Sequence, residues 1–267
     1  MTEREVAISV RGLEKSFGNH KVLQGVNLDI YRGETFVIMG GSGCGKSTLL
    51  RNMVGGMKPD VGKIYFGDKN IVSVAGAELE NIKRKFGILF QSGALLDSLT
   101  VEENVSLPLK EHTQLDASII KIIVKMKLAL VGLRGFEHLM PSELSGGMKK
   151  RVGLARATAM DPEIVFYDEP TAGLDPVVAA VIDKLIVDLS KKLLITSIVV
   201  THDMQSVFRI ADRVAMLHKG RVLEVATRDQ IKNSKNEIVQ QFINGNTEGP
   251  LDFFKKGDDY LQDLVAY

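Results

Sequence analysis

The chain has 267 residues, 45% of them hydrophobic, with 34 Lys and Arg against 33 Asp and Glu, and a formal net charge of +1. This length and composition suit one large domain, or one domain with an insertion, around a full core. The balanced charge argues against nucleic acid as a partner, because nucleic-acid-binding proteins carry a basic excess or a basic stripe. The single cysteine, Cys44, excludes a disulfide within the chain and fits a reducing cytoplasm.

The sequence contains no segment expected to enter a membrane. No apolar run approaches the roughly 18 residues that span a bilayer. The opening residues Met1-Thr-Glu-Arg-Glu are charged and lack the apolar core of a secretory signal. We therefore expect any link to a membrane to depend on another protein.

The first part of the chain predicts strands, a glycine-rich turn and a helix. Segments that begin at Val6 and Val26 alternate apolar and polar residues, as half-buried strands do. The run Thr35-Phe-Val-Ile-Met is apolar enough for a parallel strand buried on both faces. The helix that starts at Lys46 is predicted to end at Gly55-Gly56. Strand, glycine-rich turn and helix in this order begin a βαβ unit.

The middle of the chain has a different pattern. Residues 92–160 are mostly helical in pattern, which predicts a helical subdomain inserted into the sheet domain. The α/β pattern then resumes, with a strand at 164–167, a helix at 176–193 capped by Asp175, a strand at 194–200, a helix at 204–211 and a hairpin of 213–217 with 221–225. We predict one domain over residues 1–245 and a C-terminal tail over 246–267 that acts as an interaction segment.

Gly40-Gly-Ser-Gly-Cys-Gly-Lys-Ser47 has the spacing of a phosphate-binding loop. Glycines let backbone N–H groups turn inward around phosphate oxygens, and the following helix adds the positive end of its dipole. In this pattern Lys46 reaches the β- and γ-phosphates and the hydroxyl of Ser47 ligates Mg²⁺. The alternative is a chance glycine-rich loop, but its position between a buried strand and a helix favours ATP or GTP binding.

Asp168 and Glu169 follow a buried strand, at the edge where open α/β sheets bind ligands. We expect Asp168 to hold Mg²⁺ through a coordinated water and Glu169 to polarise an attacking water. Paired acids at a strand end are often no more than solvated turn residues. The phosphate loop upstream is the reason to prefer the catalytic interpretation.

Leu144-Ser-Gly-Gly-Met148 places a second glycine turn before a helix, which makes a second potential anion site. Taken alone, Ser145 would be interpreted as an ordinary helix cap. With the other motifs, the chain resembles an ATP-binding-cassette (ABC) ATPase from Val6 to Gly245, and residues 144–148 resemble the family signature Leu-Ser-Gly-Gly-Gln. Met148 departs from that signature, so a polar contact by this side chain is not expected.

The resemblance implies a fold, a site and an assembly. The implied fold is α/β: a P-loop NTPase core with a mixed sheet, an antiparallel β subdomain and the inserted helical subdomain. The implied assembly is a dimer of two copies that sandwiches two ATP molecules. The implied catalytic residues are Glu169, Gln91 in the Q-loop and the switch residue His202, and the implied Mg²⁺ ligands are Ser47, Gln91 and Asp168. The implied ATP-binding residues are Phe17 (stacked on adenine), Gly40, Gly41, Ser42, Gly43, Cys44, Gly45, Lys46, Ser47 and Thr48, with Ser145, Gly146, Gly147 and the D-loop residue Asp175 at the dimer interface.

A narrower resemblance concerns the cargo. Phe90-Gln-Ser-Gly-Ala-Leu-Leu-Asp, residues 108–115 and Met140-Pro-Ser-Glu-Leu are similar to the ATPases of Mla-type phospholipid transporters. That resemblance implies a peripheral protein on the cytoplasmic face of the inner membrane. Its implied partners are an integral membrane permease, an MCE-domain protein and a small STAS-domain protein. Its implied function is ATP-driven movement of phospholipids between the inner and outer membranes, which maintains outer-membrane lipid asymmetry.

Two alternatives remain open from the sequence. One is an ABC transporter ATPase for another cargo, such as amino acids or lipoproteins. The other is a soluble ABC ATPase of DNA repair or translation, which usually carries a long coiled-coil insertion or a second cassette. The apolar segment after Gln91 is predicted to dock a permease helix, unless Leu95 and Leu96 pack inside the helical subdomain.

Overall fold

The computed structural model describes residues 4–251. Its strands are β1 (Val6–Phe17), β2 (His20–Tyr31), β3 (Thr35–Met39), β4 (Val61–Phe66), β5 (Lys69–Asn70), β6 (Phe86–Leu89), β7 (Ile164–Asp168), β8 (Thr196–Thr201), β9 (Arg213–His218) and β10 (Arg221–Thr227). Its α-helices are α1 (Lys46–Met53), α2 (Gly76–Lys83), α3 (Val101–His112), α4 (Ala117–Leu130), α5 (Gly146–Ala157), α6 (Pro176–Leu193), α7 (Met204–Ile210), α8 (Arg228–Lys232) and α9 (Glu237–Asn244). A 3₁₀ turn, Pro141–Glu143, precedes α5.

The strands form two sheets. The larger sheet has the order β10-β9-β3-β8-β7-β6, in which all neighbours are parallel except the hairpin of β9 and β10. The smaller sheet has the order β2-β1-β4-β5 and is antiparallel. This arrangement confirms the predicted fold class of a mixed central sheet with an antiparallel β subdomain and helices. It also places the C-terminal ends of β3, β7 and β8 along one edge.

Strand β3 is the centre of the core because it is buried on both faces. Val37 and Met39 belong to a cluster that includes the apolar sides of α3 to α7. Phe36 and Ile38 belong to a second cluster, shared with α1 and the smaller sheet. The continuous apolar sequence of β3 therefore follows from packing against two layers.

Helix α6 begins and ends as its sequence dictates. Asp175 accepts hydrogen bonds from the backbone N–H groups of Val177 and Val178 at 3.0 Å, and Pro176 takes the first helical position. The predicted bounds of this helix are correct. The strand predicted from Leu194 begins only at Thr196, because Leu194 adopts a left-handed conformation (φ 55°) that ends the helix.

Between β6 and β7, a stretch that the structure describes in full, the regular elements are α3, α4, the 3₁₀ turn and α5. This is where the helical subdomain over residues 92–160 was predicted. The strands β4, β5 and β6 and the helix α2 were not predicted, since residues 57–89 lack long periodic runs. None of the helices within residues 4–251 is long and apolar enough to cross a membrane.

The last described residues pack against α9. The side-chain oxygen of Gln241 accepts a hydrogen bond from the backbone N–H of Leu251 at 2.6 Å, and its Nε2 donates to the Leu251 carbonyl at 3.1 Å. Both residues are buried. The predicted tail over 246–267 therefore starts on its own domain, and its residues 252–267 lie outside the described part of the chain.

Candidate nucleotide-binding and catalytic site

The predicted phosphate loop joins the buried strand β3 to helix α1. Gly40, Gly43 and Gly45 have φ angles of 154°, 73° and 108°, which side chains rarely adopt. At Gly40 an added Cβ would lie 2.2 Å from the carbonyl oxygen of Leu217, so only glycine fits there. The glycines let the chain turn tightly before the N-terminus of α1, where backbone N–H groups can bind an anion.

The side chain of Lys46 lies over this loop. Its ammonium donates hydrogen bonds to the carbonyls of Gly40 at 2.7 Å and Gly41 at 3.0 Å. The residue is buried although it is charged. The loop therefore keeps its cation in place and directed at the centre of the turn, where a phosphate would sit.

Ser47 and Asp168 bring a hydroxyl and a carboxylate together from α1 and β7. The hydroxyl of Ser47 donates a hydrogen bond to Oδ1 of Asp168 at 3.1 Å. Burial raises the pKa of Asp168, and the hydrogen bond from Ser47 acts in the opposite direction. A divalent cation would favour the ionised carboxylate, and oxygen ligands of this kind are those that Mg²⁺ prefers. The pair therefore fits the predicted metal site.

Glu169 and His202 meet at the ends of β7 and β8. Oε1 of Glu169 lies 2.9 Å from Nδ1 of His202, and the backbone N–H of Glu169 donates to the carbonyl of Val200 at 2.9 Å. Glu169 has a φ of 49°, a left-handed conformation that costs about 1–3 kcal/mol for a non-glycine residue. Such strain persists only where the surroundings fix it, and it is concentrated at functional sites.

A cavity of about 440 Å³ connects these groups. Among the predicted residues, it brings together part of the phosphate loop, Lys46, the exposed side chain of Gln91, and the Glu169–His202 pair. Its lining residues are Val22, Ser42, Gly43, Gly45, Lys46, Ser47, Thr48, Gln91, Glu169 and His202. The cavity thus places a positively charged site for phosphate beside a carboxylate and an imidazole. These are the groups that hydrolysis of a phosphoanhydride requires.

Other predicted residues lie apart from this cavity. Phe17 ends β1 with an exposed ring. Ser145 caps α5 by accepting a hydrogen bond from the backbone N–H of Met148 at 3.3 Å, with Gly146 and Gly147 in the first turn. Asp175 caps α6. These residues do not line the cavity of their own chain. They could contact ATP only if the nucleotide extended beyond this cavity or if a second copy of the chain brought them to it.

Gly41 and Cys44 line a neighbouring cavity of about 530 Å³ that also includes Phe242 and Leu251. The thiol of Cys44 is buried, and burial raises its pKa. We therefore expect Cys44 to contribute its backbone N–H rather than its thiol to the phosphate loop.

Two residues of the site were missed by sequence reasoning. Val22 lines the cavity from β2, where a valine has no distinguishing signal. Lys150 is buried in α5, and its ammonium donates hydrogen bonds to the carbonyls of Gln91 and Glu169. Lys150 could have been found from its position, because it is a charged residue on the buried face of the predicted helix.

Comparison with known proteins gives a consistent picture. A family model described as "ABC transporter" matches residues 23–172. The intermembrane phospholipid transport system ATP-binding protein MlaF of Haemophilus influenzae is 41% identical over 257 residues, which cover 96% of this chain and 97% of that protein. MlaF of Escherichia coli K12 is 40% identical over 265 residues, 98% of each chain. The Mycobacterium leprae protein described as "Probable ribonucleotide transport ATP-binding protein mkl" is 41% identical over 254 residues, which cover 95% of this chain and 73% of that protein.

Solved structures agree with the sequence relatives. A dimeric ATP-binding cassette in a post-hydrolysis state bound to ADP and Pi has a TM-score of 0.76 and 32% identity, covering 83% of this chain and 98% of that one. CbiO1 of Clostridium perfringens, part of an ABC transporter complex, has a TM-score of 0.79 and 30% identity, covering 98% of this chain and all 100% of that one. These comparisons and the site geometry lead to the same conclusion: the chain belongs to the ABC transporter family and is an ATPase of that family.

Proposed function

We propose that the chain is the ATP-hydrolysing motor of a transporter that moves phospholipids between the inner and outer membranes. The observation that carries the ATPase part is the cavity in which Lys46, Glu169 and His202 converge. The phospholipid part rests on similarity to the two MlaF proteins along almost their whole length. ABC cassettes dimerise and work with a membrane permease, and we propose the same assembly here.

In this proposal the phosphate loop binds the triphosphate of ATP, with Lys46 neutralising the β- and γ-phosphates. Ser47, Asp168 and Gln91 would hold Mg²⁺, which supplies neutralisation of phosphate charge when bound. The carboxylate of Glu169 holds a water in line with the γ-phosphate and accepts its proton. The imidazole of His202 donates a hydrogen bond to the γ-phosphate.

The separated motifs support a dimeric site. Ser145 to Gly147 form a helix N-terminus, and within residues 4–251 its only side-chain hydrogen bond is the cap from Ser145 itself. In a head-to-tail pair this N-terminus faces the phosphates held by the other copy, with Phe17 against adenine and Asp175 at the interface. The γ-phosphate then bridges two helix N-termini, and its hydrolysis releases the pair.

A groove of about 420 Å³ lies between β6, α3 and α5, next to Gln91. Phe90 and Ala94 line it together with Pro108 and Met160. Phe90 and the nearby Leu96 are both 45% exposed, whereas Leu95 packs against the core. We propose that a short helix of the permease docks here, because an apolar groove of this kind suits an amphipathic helix.

We further propose the cassette boundaries 1–245, with the helical subdomain over 92–160 and an interaction segment over 246–267. The remaining partners of the proposed complex are an MCE-domain protein and a small STAS-domain protein. A peripheral position on the cytoplasmic face of the inner membrane follows from docking to the permease.

One experiment tests both the partners and the cargo. The tagged chain would be purified in mild detergent from its native host, its partners identified by mass spectrometry, and the complex reconstituted with fluorescent phospholipid. We expect a permease with an MCE-domain and a STAS-domain protein, and ATP-dependent transfer of the lipid. A permease complex that transfers ribonucleotides instead would favour the function named for the mkl relative.

A further inference from the structure

Lys150 carries a buried charge in the first half of α5. The residue is only 5% exposed. Its ammonium donates hydrogen bonds to the backbone carbonyl of Gln91 and, at 3.3 Å, to that of Glu169. Burial lowers the pKa of Lys150, an effect that the nearby carboxylates of Glu169 and Asp168 oppose. Burying a cation costs free energy unless it is paired and hydrogen-bonded, and in Lys150 the hydrogen bonds go to backbone carbonyls.

Helix α5 holds the segment 91–94 at more than one point. Arg156 donates hydrogen bonds to the carbonyls of Gly93 and Ala94, both at 2.8 Å. A Cβ added at Gly153 would lie 3.1 Å from the carbonyl oxygen of Gly93, so helix and segment are in close backbone contact. Ala94 has a positive φ of 46°, a conformation that needs such fixed surroundings. The segment is therefore held against α5 by hydrogen bonds and by close backbone packing.

Lys150 differs from Arg156 because it reaches beyond the segment. Its second contact is the carbonyl of Glu169, which also accepts a hydrogen bond from the backbone N–H of Ala172 at 3.2 Å. The N–H of Glu169 is bonded to Val200. These contacts hold the peptide groups on either side of a strained residue, and so determine where its carboxylate points.

We propose that Lys150 is a positioning residue that couples the segment 91–94 to the catalytic carboxylate of Glu169. The coupling rests on the proposed function, because Phe90 and Ala94 line the groove assigned to the permease helix. Docking there displaces the carbonyl of Gln91, and Lys150 carries this displacement to the carbonyl of Glu169. The ammonium is buried and donates to the carbonyls of Gln91 and Glu169, so we expect it to affect catalysis through the position of Glu169.

The test compares two buried lysines of the same helical region in the permease complex. Lys150→Met keeps the length of the side chain and removes its charge and donors. Lys127→Met is the matched control, since Lys127 is also buried but binds Asp161, away from the site. We expect Lys150→Met to lower kcat for ATP at least tenfold, because small misplacements of catalytic groups have effects of that order. KM for ATP should stay within about twofold of the wild type, since ground-state binding is untouched.

A second measurement separates positioning from general stability. The ratio of ATPase turnover in the complex to turnover of the isolated chain should move towards one in Lys150→Met and stay at the wild-type value in Lys127→Met. If Lys150→Met does not fold, Lys150→Gln takes its place, with the same expectations. Turnover and ratio equal to the wild type, or equal losses in both lysine variants, would overturn the inference alone. A wild-type complex without ATPase activity would overturn the proposed function as well.

Discussion

At the scale of single residues, the adjacent acids Asp168 and Glu169 contact different groups and have different predicted roles. Oδ1 of Asp168 accepts a hydrogen bond from the hydroxyl of Ser47 at 3.1 Å. Glu169 has a left-handed backbone conformation, and its carboxylate lies beside the imidazole of His202. Two adjacent acids thus face different partners. The first has the surroundings of a metal ligand, and the second has those of a base, which predicts different effects when each is changed.

Glu169→Gln should keep ATP binding and lower turnover by about a hundredfold or more, since the amide cannot accept the proton of water. The change preserves size, so the fold and the affinity for nucleotide should be retained. The measurements are ATPase activity of the purified complex and equilibrium binding of labelled ATP. Glu80→Gln, which changes an exposed carboxylate on α2 outside the site, is the control. Activity of Glu169→Gln within about threefold of the wild type would show that Glu169 is not the base.

At the scale of elements, the structure shows which of Leu95 and Leu96 is buried, a question that the sequence pattern leaves open. Consecutive leucines in a turn have no periodicity, so the sequence could not tell a buried pair from a docking surface. In the structure, Asn104 of α3 fixes this turn: its side-chain oxygen accepts a hydrogen bond from the backbone N–H of Leu96 at 2.8 Å, and its amide donates to the carbonyls of Leu96 and Leu99. One leucine packs inward and the other remains exposed.

Leu96→Asp should therefore detach or uncouple the permease while the chain stays folded and binds ATP. A charge introduced on an exposed apolar side chain disrupts an interface but costs the fold little. Copurification with the permease and ATP-dependent lipid transfer are the measurements. Leu194→Asp is the matched control, because Leu194 is 84% exposed and lies at the C-terminal end of α6, outside the segment that follows Gln91. Normal assembly and transport by Leu96→Asp would count against the proposed docking surface.

The bounds of long periodic elements were accessible from sequence, and those of short edge elements were not. Helix α6 was predicted with its correct ends because Asp175, Pro176 and the apolar stripe all agree. β6 is four residues long and lies at a sheet edge. Its Phe86 packs against Phe66 and Phe166, which are distant in sequence, so a local pattern could not predict this strand. Lys150 was missed for the same reason, since its partners are 59 and 19 positions away.

At the scale of the whole molecule, the distribution of motifs argues for a shared site, which crosslinking between copies can test. Cys44 is a poor probe because its thiol is buried, whereas Ser42 and Ser145 are exposed. In a Cys44→Ser background, a Ser42→Cys chain mixed with a Ser145→Cys chain should form an ATP-dependent crosslink in the permease complex. A Ser42→Cys chain mixed with an Asp68→Cys chain is the control, because Asp68 is exposed in the turn between β4 and β5. Crosslinks confined to a single chain that carries both cysteines would contradict the shared site.

The C-terminal segment gives the last prediction. Truncation after Leu251 keeps the contact with Gln241, and truncation after Gly245 removes it. If residues 252–267 form an interface with the second subunit or with a STAS-type partner, both truncations should weaken association without change in ATP affinity. Size-exclusion chromatography with light scattering measures the first quantity, and calorimetry the second. Complexes of normal composition and activity from both truncations would show that the segment is not an interface.

The contacts of Lys46 have a consequence for how fast and how tightly nucleotide is captured. Because the ammonium already bonds Gly40 and Gly41, a phosphate that arrives exchanges hydrogen bonds rather than ordering a loose loop. Preorganisation of this kind lowers the entropic cost of association, and affinity then depends on how well the phosphate replaces the two carbonyls. Of the backbone N–H groups of residues 40–45, only that of Cys44 donates to another backbone group in the described part of the chain, the carbonyl of Gly41 at 3.4 Å. Amide hydrogen exchange in this loop should therefore be fast in the free chain and strongly slowed by nucleotide, whose phosphates accept from these N–H groups. The ammonium of Lys46 is therefore in place before nucleotide arrives, and the free N–H groups of the loop complete the phosphate site.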